Sequence, residues 1–268
     1  MTSSGWMPVS PCGQGCIDAP GAAPQVWPTT RVWRVLMALG VLLAAIPVLS
    51  VQRLVSPERG RRLMSSWCRM LLRALGLRVE VHDSEPGPAG PALLVANHVS
   101  WLDPVVLMAA VPMRVVSKTG IGEIPIIGGL ARGAGTIFID RPRLSQLPGV
   151  VGQVTAALRE GTTVAAFPQG TTFCEPAKGR FRPALFQAAV DAGVPVRPVL
   201  LDYRLDDGRP TAAASFLGDE SMGTAMRRTL GARGLVVHLR LMPAVPREGA
   251  DRRALSLAAE EAVSKVPA

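Results

Sequence analysis

Lysine is almost absent from this chain. Of 29 basic residues only Lys118, Lys178 and Lys265 are lysines, and the other 26 are arginines. Aromatic residues are also scarce, at 4% with a single Tyr, and no RNP-like or finger-like motif occurs. A basic chain that binds nucleic acid needs a basic groove or helix, or aromatics for stacking. Without them, the net charge of +9 and pI near 10.6 point to anionic lipid, and no nucleic-acid partner is expected. Cysteine is limited to Cys12, Cys16, Cys68 and Cys174. The pair in "CGQGC" lacks the spacing of a C-x-x-C redox or zinc pair, and no matching Cys/His cluster follows it. Reduced, unpaired thiols and no metal are therefore expected. The first residues lack both a basic start and the apolar core of a signal peptide. Residues 1–30, rich in Gly, Pro, Ser and Thr without periodicity, are expected to form a disordered tail.

Apolar sequence is plentiful. Hydrophobic residues make up 48% of the 268 and the mean hydropathy is +0.27, which indicates a membrane segment or a membrane-facing surface. The run "VLMALGVLLAAIPVLSV" (35–51) is uncharged, at the low edge of the roughly 20 residues that cross a bilayer. Arg31 and Arg34 precede it; Arg53, Arg59, Arg61 and Arg62 follow, with only Glu58 opposing them. That excess places the following domain on the cytoplasmic side of a cell membrane. Pro47 leaves a re-entrant or half-inserted helix open, and a buried core helix is the competing reading. "RRLMSSWCRMLLRALG" (61–76) has Leu63, Trp67, Met70, Leu71 and Leu75 on one helical side and Arg62, Arg69 and Arg73 nearer the other, as an interfacial anchor would. Residues 31–76 are thus expected to form a membrane-anchoring helical segment, followed by a single domain over 77–268.

From residue 77 the pattern alternates. Strands are predicted at 77–82, 92–97, 114–118, 136–140, 162–168, 194–203 and 235–245. Helices are predicted at 103–111, 145–161, 182–193 and 252–266, with 124–135 a helix or loop. Strands separated by helices specify an α/β domain with a mostly parallel central sheet flanked by helices. No internal repeat is visible, and nothing in the pattern speaks to oligomeric state.

Three polar clusters follow apolar strands. In "NHVSWLDP" (97–104), His98 and Asp103 would lie about 140° apart on one helix and could not easily meet. A strand–turn–helix geometry could fold the imidazole onto the carboxylate, which would hold the ring in one tautomer. The His would then serve as general base for a hydroxyl. A helix-capping Asp beside a satisfied His is the plainer alternative. In "GTIFIDR" (135–141), Arg141 is placed to grip a phosphate or carboxylate, or to form a surface ion pair. In "FPQGTT" (167–172), the amides near Gly170 and the hydroxyls of Thr171 and Thr172 could bind an anion; a plain turn fits equally. Ligands of open α/β sheets bind at the carboxyl ends of strands. Ser100 lies in no G-x-S-x-G elbow, so a lipid hydrolase ranks behind; a non-catalytic anionic-lipid binder using the Arg-rich helices is the other alternative. His82 and His238 fall in strand-like runs and read as structural.

Together "NHVSWLD", "GTIFIDR", "FPQGTT" and "VPVRPV" resemble, in order and spacing over residues 80–205, the four blocks of the glycerophospholipid acyltransferase family. The resemblance implies transfer of a fatty acyl chain from acyl-CoA or acyl carrier protein to the free hydroxyl of a lysophospholipid. The implied acceptor is 1-acyl-sn-glycerol-3-phosphate, giving phosphatidate, with another lysolipid such as lyso-ornithine lipid as the alternative. His98 would act as base, oriented by Asp103. Lys118, Arg141, Gln169, Gly170, Thr171 and Thr172 would bind substrate, and Asn97, Ser100, Gly135, Phe167, Pro168 and Pro195 would support the motifs. The chemistry implies no metal or other cofactor. The chain departs from the third block at Gln169, where Glu is usual, and at Thr172, where Arg is frequent.

Overall fold

The computed structural model describes residues 10, 12–16, 23–52, 55–85, 87, 90–124, 127–140, 143–175, 179–218, 220–246 and 249–265. Two helices, α1 (Pro28–Gln52) and α2 (Pro57–Ala74), precede a seven-stranded sheet. In chain order the strands are β1 (Arg78–Asp83), β2 (Leu93–Ala96), β3 (Arg114–Lys118), β4 (Ile137–Ile139), β5 (Val164–Ala166), β6 (Val196–Leu205) and β7 (Leu235–Leu241). Across the sheet they run β1-β7-β6-β2-β5-β3-β4. Every adjacent pair is parallel except β6 with β7. The mostly parallel sheet predicted from the alternating pattern is thus observed.

The central strands are apolar throughout because both of their faces are covered. Leu94 and Ala96 of β2 face a core with α2 and α3 (Asp103–Ala110), while Leu93 and Val95 face one with α6 (Leu147–Arg159), α7 (Phe186–Ala192) and α9 (Arg252–Ser264). The short helices α4 (Thr119–Glu123) and α5 (Ile127–Gly133) link β3 to β4. Helix α8 (Met222–Gly231), which was not predicted, precedes β7. Ser221 caps it through Thr224 N at 3.1 Å.

α2 begins earlier than predicted. Ser56 accepts from Arg59 N and Pro57 occupies the first turn, where its missing N–H costs nothing. Its inward stripe is Met64, Trp67, Cys68, Leu71 and Leu72, with Leu75 just beyond its end, while Met70, expected on that side, is exposed. α1 begins at Pro28, inside the stretch expected to be a tail. There Val26 N donates to Gly231 O (2.8 Å) and Arg233 N to Pro24 O (2.7 Å), tying residues 24–26 to the end of α8. The Arg34 guanidinium donates to Leu230 O and Ala232 O, at 2.9 and 2.7 Å, and Trp67 Nε1 donates to Val41 O at 2.8 Å. Only 11% of the apolar window Pro28–Ala45 is buried, so over these residues α1 is not enclosed in the core. Trp33, Leu36, Leu39 and Leu43 stand exposed along it.

Candidate active site

The parallel strands β2, β5, β3 and β4 end along one edge of the sheet, and the polar clusters of the sequence follow those ends. After β2, the turn 97–102 folds back so that His98 Nδ1 lies 2.8 Å from Asp103 Oδ2. Asp103 is the first residue of α3, yet its carboxylate caps no helix amide. Oδ2 instead accepts Val99 N at 2.7 Å and Ser100 N at 2.8 Å, which closes the turn, and Oδ1 accepts the Tyr203 hydroxyl at 2.6 Å. The carboxylate is fully buried. Three donors besides the imidazole converge on it, and a carboxylate at hydrogen-bond distance from Nδ1 assigns the ring proton to that nitrogen. The imidazole stacks on Phe167 (centroids 4.3 Å apart, 23° between planes). Among the described residues none bonds Nε2, and the side chain is 15% exposed.

Tyr203 is the residue that sequence reasoning missed. It is the chain's one tyrosine and lies 100 positions from its partner. The clue was a phenol inside the apolar run of β6. Burial, then the adjacent Asp103 charge, then the hydrogen bond to Asp103, push its hydroxyl well above the usual tyrosine range. The folded protein therefore keeps Tyr203 protonated where an unfolded chain ionises it, near pH 10. Its contribution to stability is complete below that pH and falls as the pH rises beyond it. A single-tyrosine chain allows a direct check: tyrosinate absorption during alkaline titration should appear with unfolding, not before it. Tyr203→Phe should lower turnover about tenfold and stability by about 1 kcal/mol, read by initial rate and thermal melt.

The remaining motif residues divide. Asn97 bridges β2 to β6, donating to Leu201 O (2.9 Å) and accepting from Leu201 N (2.7 Å). Ser100 is fully buried; it donates to Ala214 O at 2.5 Å and accepts from Leu102 N at 3.1 Å, so it is held as a brace and not presented as a nucleophile. Phe167 O accepts Gly170 N (3.1 Å), closing a turn in which Gly170 takes φ +75°. That amide is engaged within the turn, and the Thr172 hydroxyl donates to Phe216 O at 2.6 Å. Thr171 is half-buried beside them. Pro168 O accepts Arg182 N, and Pro195 O accepts Leu93 N, both at 3.0 Å. Gly135 ends α5 with its amide on Arg132 O (3.0 Å). Lys118 is exposed at the end of β3, paired in register with Ile139 of β4. Arg141 lies outside the described residues.

Beside the substrate binding that the resemblance implied, Gln169 has a positioning task. It is buried, and its Oε1 accepts the His98 backbone N–H at 2.5 Å. A neutral carbonyl meets this need as well as a carboxylate does, which gives the departure from Glu a physical basis. Gln169→Glu should keep turnover within about tenfold of the parent. Gln169→Leu leaves a buried amide unsatisfied, at about 1–3 kcal/mol, and should lower both activity and melting temperature; parallel rates and melts separate the two variants.

A family profile described as Acyltransferase matches residues 78–202, which include His98, Asp103, Phe167 and Gln169 and stop one residue before Tyr203. The chain is 40% identical over 234 residues to the lyso-ornithine lipid O-acyltransferase of Pseudomonas aeruginosa, covering 85% of this chain and 88% of that one. It is 32% identical over 213 residues to the 1-acyl-sn-glycerol-3-phosphate acyltransferase of Neisseria meningitidis, covering 79% and 83%. The chain belongs to the glycerophospholipid acyltransferase family. The crystal structure of the 1-acyl-sn-glycerophosphate acyltransferase PlsC from Thermotoga maritima shares the fold, with a TM-score of 0.68 at 21% identity over 88% of this chain and 92% of that one. As a lysolipid acyltransferase of this family, the chain carries the family's first block on the His98–Asp103 turn and the third on the Phe167–Gly170 turn.

Proposed function

We propose that this acyltransferase uses His98 as general base, positioned by Asp103, to acylate the free hydroxyl of a lysolipid. The observation that carries the reading is the Nδ1–Oδ2 bond of 2.8 Å, which leaves Nε2 as the ring's proton acceptor. Nε2 takes the hydroxyl proton as the oxygen attacks the thioester carbonyl. The tetrahedral intermediate collapses, the C–S bond breaks, and the departing thiolate takes the proton from the imidazolium. The buried Asp103 carboxylate stabilises that imidazolium while it exists. The transfer itself calls for no metal or covalent acyl-enzyme. The donor is acyl-CoA or acyl carrier protein; both are acidic and suit a chain of net charge +9.

For the acceptor we favour lyso-ornithine lipid over lysophosphatidate. The higher identity is to a protein of that name. The third block's Gly170 amide and Thr172 hydroxyl are also engaged internally, which weakens the case for a dianionic phosphate there. An amino-acid headgroup, with one carboxylate and one ammonium, demands less. Lysophosphatidate remains the second reading, supported by the Neisseria relative. An acceptor panel with labelled acyl thioester, read by product mass, tests this: kcat/KM should be higher for lyso-ornithine lipid, and a higher value for lysophosphatidate reverses the assignment.

The exposed apolar side of α1, held along the domain by Arg34 and Trp67, suits a helix lying half-inserted in the membrane. The arginines that follow it favour the cytoplasmic face.

A further inference from the structure

Three of the four cysteines meet at one point. Cys12 precedes and Cys16 ends a short 3₁₀ turn, Gln14–Cys16, closed by Cys16 N on Gly13 O at 3.0 Å. Cys174 arrives from the loop after the third block, 158 positions beyond Cys16. Its Sγ lies 3.1 Å from that of Cys12 and 3.0 Å from that of Cys16, and all three sulfurs fall within 4.8 Å of one another. The backbone N–H of Cys174 donates to Cys12 Sγ at 3.1 Å. Cys12 is buried and the other two are half-buried, so the cluster has one face open to water.

We propose that Cys12, Cys16 and Cys174 form a structural zinc site that fastens the N-terminal segment to the loop carrying the third block. Three thiolates are a soft donor set that selects zinc over magnesium or calcium. The pair is not C-x-x-C, which counted against a metal in the sequence alone, but three intervening residues lie within the two to four usual for zinc ligands, and the fold brings the third ligand from afar. Tetrahedral coordination at about 2.3 Å per Zn–S bond sets the sulfurs about 3.8 Å apart, so binding opens the two contacts to Cys174 by about 0.7–0.8 Å. Three S–H protons leave as three Zn–S bonds form, and water fills the fourth position. Cys68, enclosed under α2, takes no part.

The placement links the site to the proposed chemistry. Cys12 O packs against Gly218, which has room for no Cβ at ordinary contact distance. In the same loop Phe216 N donates to Val99 O (2.9 Å) and Phe216 O accepts the Thr172 hydroxyl (2.6 Å). A metal joining residues 12–16 to Cys174 therefore braces both turns that frame His98. The inference stands apart from the choice of acceptor, because its readout is metal and not turnover.

The test uses the full chain purified in detergent, reduced and without chelator, then supplied with zinc and dialysed. About one zinc per chain should remain. Cys174→Ser and Cys16→Ser should each retain about tenfold less, and Cys68→Ala should retain it all. Cobalt in place of zinc should give a thiolate-to-metal charge-transfer band that both serine variants lose. Should those variants fold poorly, a mercurial added to the unaltered protein should release zinc in step with titration of three thiols. Zinc below a tenth of an equivalent in the unaltered protein overturns the proposal. So does an intact mass two hydrogens light under non-reducing conditions, with a disulfide mapped between two of these cysteines.

Discussion

His98→Ala reduces acyl transfer roughly 10²–10⁴-fold, the range for loss of a positioned general base, and leaves the fold intact. The structure explains why the two effects separate. The imidazole makes one hydrogen bond, to Asp103 Oδ2, and one ring contact, with Phe167. When it is removed, the Asp103 carboxylate still accepts Val99 N, Ser100 N and the Tyr203 hydroxyl. The His98 backbone amide keeps Gln169, and the His98 carbonyl keeps Phe173 N at 2.8 Å. No buried donor is orphaned, and water can enter the space from the exposed side. Melting temperature and near-ultraviolet circular dichroism should match the parent.

Asp103→Asn lowers turnover by about 10³–10⁴-fold, the scale for losing the carboxylate behind a catalytic imidazole. Asparagine fits the site well. Its amide oxygen can take the place of Oδ2 and accept the same three N–H groups. Its NH₂ then faces the Tyr203 oxygen, with the phenol turned from donor to acceptor. Geometry survives and charge does not, so the imidazolium formed during transfer loses its counter-ion. Asp103→Ala is a poorer probe. It leaves Val99 N, Ser100 N and the Tyr203 hydroxyl without an acceptor in a fully buried site, at about 1–3 kcal/mol each. That is comparable with a domain's whole stability of about 5–15 kcal/mol. The expected split is a folded, nearly inactive Asn variant and a destabilised Ala variant, measured by rate and melt on the same samples.

What the sequence made legible followed from short-range pattern. Apolar runs bounded by Gly and Pro located all seven strands, and the helices between them implied a mostly parallel sheet. His98 and Asp103 were readable because five residues of strand, turn and helix start allow one compact arrangement. The parts not legible depend on contacts across the chain. Tyr203 sits in an apolar stretch of β6 and acquires its role only when β6 lies beside β2 in register, Ala96 opposite Val199. Gln169 was read as a substrate ligand because its residue type gave no sign that its carbonyl would meet the His98 amide. The ends of residues 1–30 looked structureless because their partners, Gly231, Arg233 and Cys174, are some 160 to 210 positions away. α8 escaped notice because Met-Gly-Thr-Ala-Met-Arg-Arg-Thr-Leu-Gly has few apolar residues to mark a periodic face.

The central claim is that His98 performs base catalysis of acyl transfer to a lysolipid. The most direct measurement is the initial rate of product formation, by mass, for the parent and His98→Ala at matched folded fraction, with lyso-ornithine lipid and lysophosphatidate each offered alongside an acyl thioester. The account predicts product from the parent with at least one of these acceptors, and a loss of at least about 10²-fold in the variant at unchanged melting temperature. A folded variant that turns over within tenfold of the parent contradicts it.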